Sequence, residues 1–380
     1  MRVLFVTWAW PSHLYPLVPL AWAMRSAGHE VRIASQPALR EELDRSGLPG
    51  TVVGTDVDSV ERVRGYLVPP DAQPAQRPRV PRVLELFHEH AEAMTGDVLA
   101  LVREWRADVV VYESTTWAGP IAAAAAGIPA VRHLYGTDLM TRVKPVLGEL
   151  IAPLSQRYGV PGVDLFGTVT VDPTPPSMQV PVDYECLRMR YQGYARGGFT
   201  PPRRPRTPGK RRVCLTWGLT LAKLGADRFL APQVLSALRG ERGIELVAAI
   251  TSAQRELLGD VGDDVEVVVD TALDEVVRDC DLMVAHGAAG TVLTAARHGV
   301  PMLLVPQLPD HVHHAGLLEK AGAARVLTRE EAAAERIRAE VAGLLEDESA
   351  RSSADAVAEE IRQAATPAEI AARLTDLLGH

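Results

Sequence analysis

Short apolar runs alternate with helix-period segments along this chain, and the alternation stops once and then restarts. Residues 3–7 read as a buried strand, and residues 14–27 have helical periodicity, with Pro16 and Pro19 tolerated near the first turns. Gly28-His29-Glu30 closes that helix, residues 31–35 form a second strand, and residues 38–46 return as a helix. Val83–Trp105 is a long amphipathic helix, followed by a strand at 108–112, a small-residue helix at 117–126 and a strand at Ala130–His133. The stretch GGFTPPRRPRTPGKRR (197–212) has no apolar period and reads as a linker, its arginines as a solvated tether. Beyond it the pattern resumes with strands at 213–216, 245–250, Val265–Val269, Leu282–Ala285 and 302–305. Helices at 230–238, 273–278 and 291–298 lie between them. Alternation at this spacing builds parallel sheets with helices on both faces. The expected fold is therefore α/β, with two doubly wound domains at 1–196 and 213–365. A last helix within 366–380 is expected to fold back toward the first domain.

The bulk numbers agree with two domains. A chain of 380 residues exceeds one ordinary core, and 47% hydrophobic against 23% charged residues is a globular balance. The formal net charge of −8 gives no basic excess for nucleic acid or an anionic membrane. Cys186, Cys214 and Cys280 are odd in number and widely spaced, which suits a reducing cytoplasm and suggests no disulfide framework. The opening MRVLFVTWAWP is too short to span a bilayer and lacks a cleavage pattern, so it reads as the first strand of a cytoplasmic protein.

Ligands of open parallel sheets bind beyond the carboxyl ends of the strands, so the strand exits are where chemistry is expected. In the segment DLMVAHGAAGTVLT, an apolar strand runs into His286-Gly287-Ala288-Ala289-Gly290-Thr291 and then a helix start. Free N–H groups at a helix N-terminus favour an anion, which makes this loop a candidate phosphate cradle. A tight βα turn needing glycine only for its geometry is the other reading. Gly218 and Thr220, after the 213–216 strand, would add backbone or hydroxyl donors for a diphosphate. Asp310 either accepts from sugar hydroxyls or caps the helix that follows. In the other half, His13 follows the first strand and is placed to take a proton from an acceptor hydroxyl. Glu113, at another strand end, either hydrogen-bonds the second ring nitrogen of His13 or caps the next helix. Trp8, Trp10, Tyr66, Trp117 and Tyr135 are candidates for a flat, apolar acceptor pocket, with Phe87 read as core. No metal site is expected. Asp56-Val57-Asp58 lies in a polar loop far from the phosphate elements, and nothing remote completes Asp310 with His314.

Taken in order, these motifs resemble a known family. His13 and Pro16 precede the Gly28-His29-Glu30-Val31 turn; His286-Gly287 opens a loop ending in Gly290-Thr291; then come His298-Gly299-Val300-Pro301, Val305-Pro306-Gln307 and Asp310. This set is similar to the nucleotide-sugar-dependent glycosyltransferases of family 1, with the GT-B fold of two Rossmann-like domains facing a central cleft. Residues 12–39, Tyr135–Asp138 and 211–218 narrow the likeness to bacterial enzymes that decorate macrolide and polyketide antibiotics with deoxysugars. The resemblance implies an acceptor-binding N-terminal domain, a nucleotide-sugar-binding C-terminal domain, and inverting, metal-free hexosyl transfer without a cofactor. It places the base on His13 and its acidic partner on Glu113, where Asp is more usual. It places the diphosphate loop on His286, Ala288, Ala289, Gly290 and Thr291, with Ala288 standing where a second Gly is common. It also implies nucleobase contacts near Thr271 and sugar contacts from Asp310 and His311 in place of Asp-Gln, with a thymidine-diphosphate deoxysugar as donor. The partners implied are the nucleotide sugar, an apolar natural-product acceptor, a homodimer, and a cytochrome-P450-like activator protein docking on the 82–94 helix. The alternatives weighed are a catalytically idle helper that binds nucleotide or a partner enzyme, and a sugar-nucleotide epimerase of the same fold. The epimerase would need further carboxylates that Glu113 alone does not supply.

Overall fold

A computed structural model describes residues 1–66, 81–194 and 202–379. The side chain of Tyr66 and residues 195–201, which include the start of the expected linker, lie outside the described residues. The chain forms two compact units. The first comprises Met1–Pro173, Pro181–Met189 and Ala365–His380; the second comprises Thr174–Val180 and Arg190–Ala364.

The first unit holds a seven-stranded sheet of β1 (Arg2–Val6), β2 (Glu30–Ser35), β3 (Gly50–Val52), β4 (Val109–Glu113), β5 (Ala130–His133), β6 (Val169–Asp172) and β7 (Cys186–Arg188). The spatial order is β3-β2-β1-β4-β5-β6-β7, and every pair is parallel. Val109 to Glu113 are all buried, as strands covered on both faces require, and this is why the run reads VVVYE rather than alternating. The long helix Val83–Trp105 buries Leu84, Phe87, Ala91, Met94 and Val98 against that core. The C-terminal helix Pro367–Leu377 opens with a Thr366–Glu369 capping box and packs on the helix Val18–Ser26. His29 Nε2 and Thr375 Oγ1 meet at 3.0 Å beside it.

The second unit holds six parallel strands, β8 (Arg211–Thr216), β9 (Ile244–Ile250), β10 (Val265–Val269), β11 (Leu282–Ala285), β12 (Met302–Leu304) and β13 (Ala324–Val326), in the order β10-β9-β8-β11-β12-β13. In both sheets the connections run outward in opposite directions from a central pair, β1/β4 in one and β8/β11 in the other. Such a switch point opens a crevice beyond the strand ends. Among the described residues no helix is long and apolar enough to cross a membrane.

Three local expectations are corrected. The 14–27 helix is broken: a single turn at Pro11–Leu14 carries His13, and the chain re-enters a helix only at Val18. Pro16 removes a donor and disfavours helix at the residue before it. The arginines of the 197–212 segment are not a solvated tether where they are described. Arg203 bonds both carboxylate oxygens of Glu266 (2.8 and 3.2 Å), and Arg212, almost fully buried, bonds Glu245 at 2.6 Å. Arg206 pairs with Asp281. Strand β8 also begins at Arg211, inside the expected linker.

Candidate active site

At the first switch point, the exits of β1 and β4 bring His13 and Glu113 together. Trp10 is the extended N-cap of the Pro11–Leu14 turn, with Pro11 at the first helical position, so the imidazole is carried one turn beyond the sheet edge. His13 Nδ1 lies 3.2 Å from Glu113 Oε2. The ring N–H is not aligned on the oxygen, so this is a close ionic contact short of a well-directed hydrogen bond. Such pairs commonly tighten only when substrate is bound.

Glu113 is fully buried and fully engaged. It accepts from Ser114 Oγ (2.9 Å), the Thr115 N–H (3.0 Å), Thr115 Oγ1 (2.6 Å) and Thr116 Oγ1 (3.1 Å). Burial by itself would push its carboxyl up; the charge and contact of His13 and the Thr115 bonds outweigh it and hold the group below its ordinary value. An ionised carboxylate only accepts, so the proton of a neutral His13 sits on Nδ1, leaving Nε2 bare. The helix-capping alternative is met in part, through the Thr115 N–H, yet the helix Ala118–Ala126 itself has Trp117 as its N-cap.

The expected aromatic residues separate into two sets. Tyr135 and Trp10 are half-buried; Tyr135 has its ring centroid 4.5 Å from that of His13. Trp8 and Trp117, at 4% and 1% exposure, do not present an acceptor surface, which corrects the expectation for both. Trp117 packs edge-on against Phe87 in the core, because the β4 exit turns directly into a buried helix. Trp8 is held between two imidazoles, its ring 4.6 Å from His13 and 4.6 Å from His90. Its indole N–H donates to Thr115 Oγ1 at 2.9 Å, and that hydroxyl donates to Glu113.

His90 and Gln36, packed beside Trp8 and the His13 loop, were missed by the sequence reading. Gln36 Oε1 accepts from the Ala9 N–H (3.0 Å) and from His90 Nδ1 (2.8 Å), while Ser59 Oγ meets His90 Nε2 at 2.9 Å. Gln36 Nε2 donates to the Thr55 carbonyl, which fixes its amide and therefore the His90 tautomer. Burial first, and His13 second, lower His90 to about 3, so it stays neutral. The available signal was a histidine set among the apolar positions of a long amphipathic helix.

At the second switch point the exits of β8 and β11 meet. The helix Ala289–Arg297 starts from Ala288, an extended N-cap with no side-chain cap. The amides of Thr291 and Val292 both donate to the Ala288 carbonyl at 3.0 Å, while those of Ala289 and Gly290 donate to no group among the described residues. Two backbone donors and the Thr291 hydroxyl are thus left for an anion. Gly218 has φ +59, and a Cβ there would meet His286 Cε1 and Nε2 at 2.6 Å; only glycine brings this backbone so close to the ring. Thr220 is half-buried and precedes the single turn Leu221–Leu224. Thr271 is half-buried and bonds the Val269 carbonyl; it follows Asp270, whose φ is +48. Asp310 is half-buried in the first turn of the helix Pro309–Lys320, one place inside its start rather than at the N-cap. His311 corrects an expectation. Its ring is 2% exposed and packs edge-on against His286 at 4.9 Å, so it offers no surface to a sugar.

Known proteins decide what this pair of sites belongs to. The N-terminal domain described as erythromycin biosynthesis protein CIII-like matches residues 22–218, and the corresponding C-terminal domain matches residues 233–377. The chain belongs to this family. It is 34% identical to the aclacinomycin-T 2-deoxy-L-fucose transferase of Streptomyces galilaeus, across 85% of this chain and 83% of that protein. It is 33% identical to the 10-deoxymethynolide desosaminyltransferase of Streptomyces venezuelae, across 99% and 97%. The solved glycosyltransferase VinC, in complex with dTDP, superposes with a TM-score of 0.81 at 31% identity, covering 100% of this chain and 99% of that one. The spinosyn rhamnosyltransferase SpnG gives 0.84 at 26% identity, covering 98% and 100%. The fold is GT-B, and the protein is a glycosyltransferase.

Proposed function

We propose that this glycosyltransferase moves a deoxysugar from thymidine diphosphate to a hydroxyl of a polyketide-type acceptor, with inversion and without a metal. The observation that carries the reading is the His13–Glu113 contact at the β1/β4 switch point. Nε2 of His13 takes the proton of the acceptor hydroxyl as its oxygen attacks the anomeric carbon. The bond from that carbon to the diphosphate oxygen breaks, and the leaving diphosphate carries away the electron pair. Glu113 holds Nδ1 protonated and balances the imidazolium that forms. The Ala289 and Gly290 amides and the Thr291 hydroxyl meet the charge developing on the diphosphate.

The donor reading is supported by VinC, whose structure contains dTDP, and by relatives named for desosaminyl and 2-deoxy-L-fucose transfer; the acceptor reading is supported by the 10-deoxymethynolide and aclacinomycin-T in the same relatives' names. Trp10 and Tyr135 are the aromatic residues placed to meet a flat acceptor beside His13. A catalytically idle helper would have no use for a buried carboxylate held ionised against a histidine. The test is product analysis with thymidine- and uridine-diphosphate sugars against macrolactone and anthracyclinone acceptors. The expected product carries one sugar with the anomeric configuration opposite to the donor's and forms with chelator present. Retained configuration, or turnover that stops with chelator, contradicts the proposal.

A further inference from the structure

Three imidazoles lie beneath the loop of the second unit. His286 follows β11, and His311 and His314 are three residues apart on the helix Pro309–Lys320, which puts them on one face. All three are at most 2% exposed. The His314 ring donates from Nδ1 to the Gly287 carbonyl at 3.1 Å; since a carbonyl only accepts, Nε2 of the neutral ring is bare. Gly287, at φ +90, sits so close to this helix that a Cβ would lie 3.0 Å from the His311 carbonyl. His286 Nδ1, His311 Nδ1 and His314 Nε2 have no hydrogen-bond partner. Each neutral ring keeps one unprotonated nitrogen, so the cluster holds three vacant proton positions under the loop.

Burial holds all three rings below the ordinary histidine value. His311 adds to this at His286, and His314 at His311; Asp310 acts in the opposite sense on His311 and His314, as do the Thr216 backbone on His286 and the Gly287 backbone on His314. None of residues 286–291, nor Gly218 or Thr220, is a lysine or arginine. An anion arriving above a neutral imidazole favours its charged form, and by linkage the captured proton strengthens anion binding.

We propose that nucleoside diphosphate binding at this loop is coupled to proton uptake by the His286–His311–His314 cluster, which supplies countercharge to the bound anion. The inference rests on the donor-site reading above. It makes His311 and His314 positioning residues whose charge changes with occupancy.

The test is calorimetric titration of thymidine 5′-diphosphate in two buffers of different ionisation enthalpy, at several values between pH 6.5 and 8. The protein is used unmodified and as His314→Asn, which keeps an amide donor for the Gly287 carbonyl, and His311→Gln. The ligand's own last ionisation, near pH 6, is common to all three, so the difference between them reports the rings. The expected result is uptake of up to about one proton per nucleotide, with affinity falling toward tenfold per pH unit. Uptake should be at least halved in one variant that still binds. Binding with no uptake, or with equal uptake in all three proteins, overturns the inference. Failure of the unmodified protein to bind thymidine diphosphate overturns the donor-site reading itself, and this inference with it.

Discussion

Glu113 is a carboxylate with no exposure to water whose charge is held by the loop that follows it, through Ser114, Thr115 and Thr116, and by His13. Replacing it with glutamine keeps the volume but presents an amide that donates as well as accepts, so the His13 tautomer is no longer enforced. Glu113→Gln is expected to lower kcat by about 10²- to 10⁴-fold, with thymidine diphosphate affinity unchanged by calorimetry; an unaltered kcat would remove Glu113 from the mechanism. The same group contributes to acid sensitivity. Its folded value lies below its ordinary 4.5, so the unfolded chain binds more protons between the two. That contribution is fully present above about pH 4.5 and is lost as pH falls through the lowered value.

Among the elements, the strands of both central pairs were legible because buried parallel strands are continuous apolar runs, and Val265–Val269 and Leu282–Ala285 fall where expected. Strands β3, β6, β7 and β13 were not, because each is short and mixes polar with apolar residues instead of forming a continuous apolar run. The placing of His13 and Glu113 at strand ends was legible, but their contact was not separable there from Glu113 capping the next helix, because a strand-end carboxylate can turn either way. The burial of Trp8, Trp117 and His311 was not, because it depends on which way a loop turns after leaving its strand. The arginine-rich segment misled for a related reason: composition alone does not distinguish a solvated cation from one paired with a half-buried carboxylate. Arg203→Ala leaves Glu266 with the Arg204 amide as its remaining close partner. The expected cost is about 1–3 kcal/mol in chemical denaturation, against near zero for an exposed tether.

For the whole molecule, the candidate residues of both units lie at a switch point between strands, and both units bury histidines. His90 and His133 are lowered to about 3 and about 4, and His286, His311 and His314 are lowered as well, in each case chiefly by burial. In the unfolded chain these groups titrate near 6.5. Below that pH the unfolded state binds more protons, so stability is full above about 6.5 and is lost progressively as pH falls toward the folded values. Tm is therefore expected to be level from pH 8 to 7 and to drop steadily from 6.5 to 5; a level Tm down to pH 5 would show that the rings are not held neutral. The central claim is that His13 is the base. It is tested most directly by His13→Ala, measured for sugar transfer and for thymidine diphosphate affinity in the same preparation. The account predicts loss of transfer by at least about 10²-fold with nucleotide affinity retained, and unimpaired transfer by this variant would contradict it.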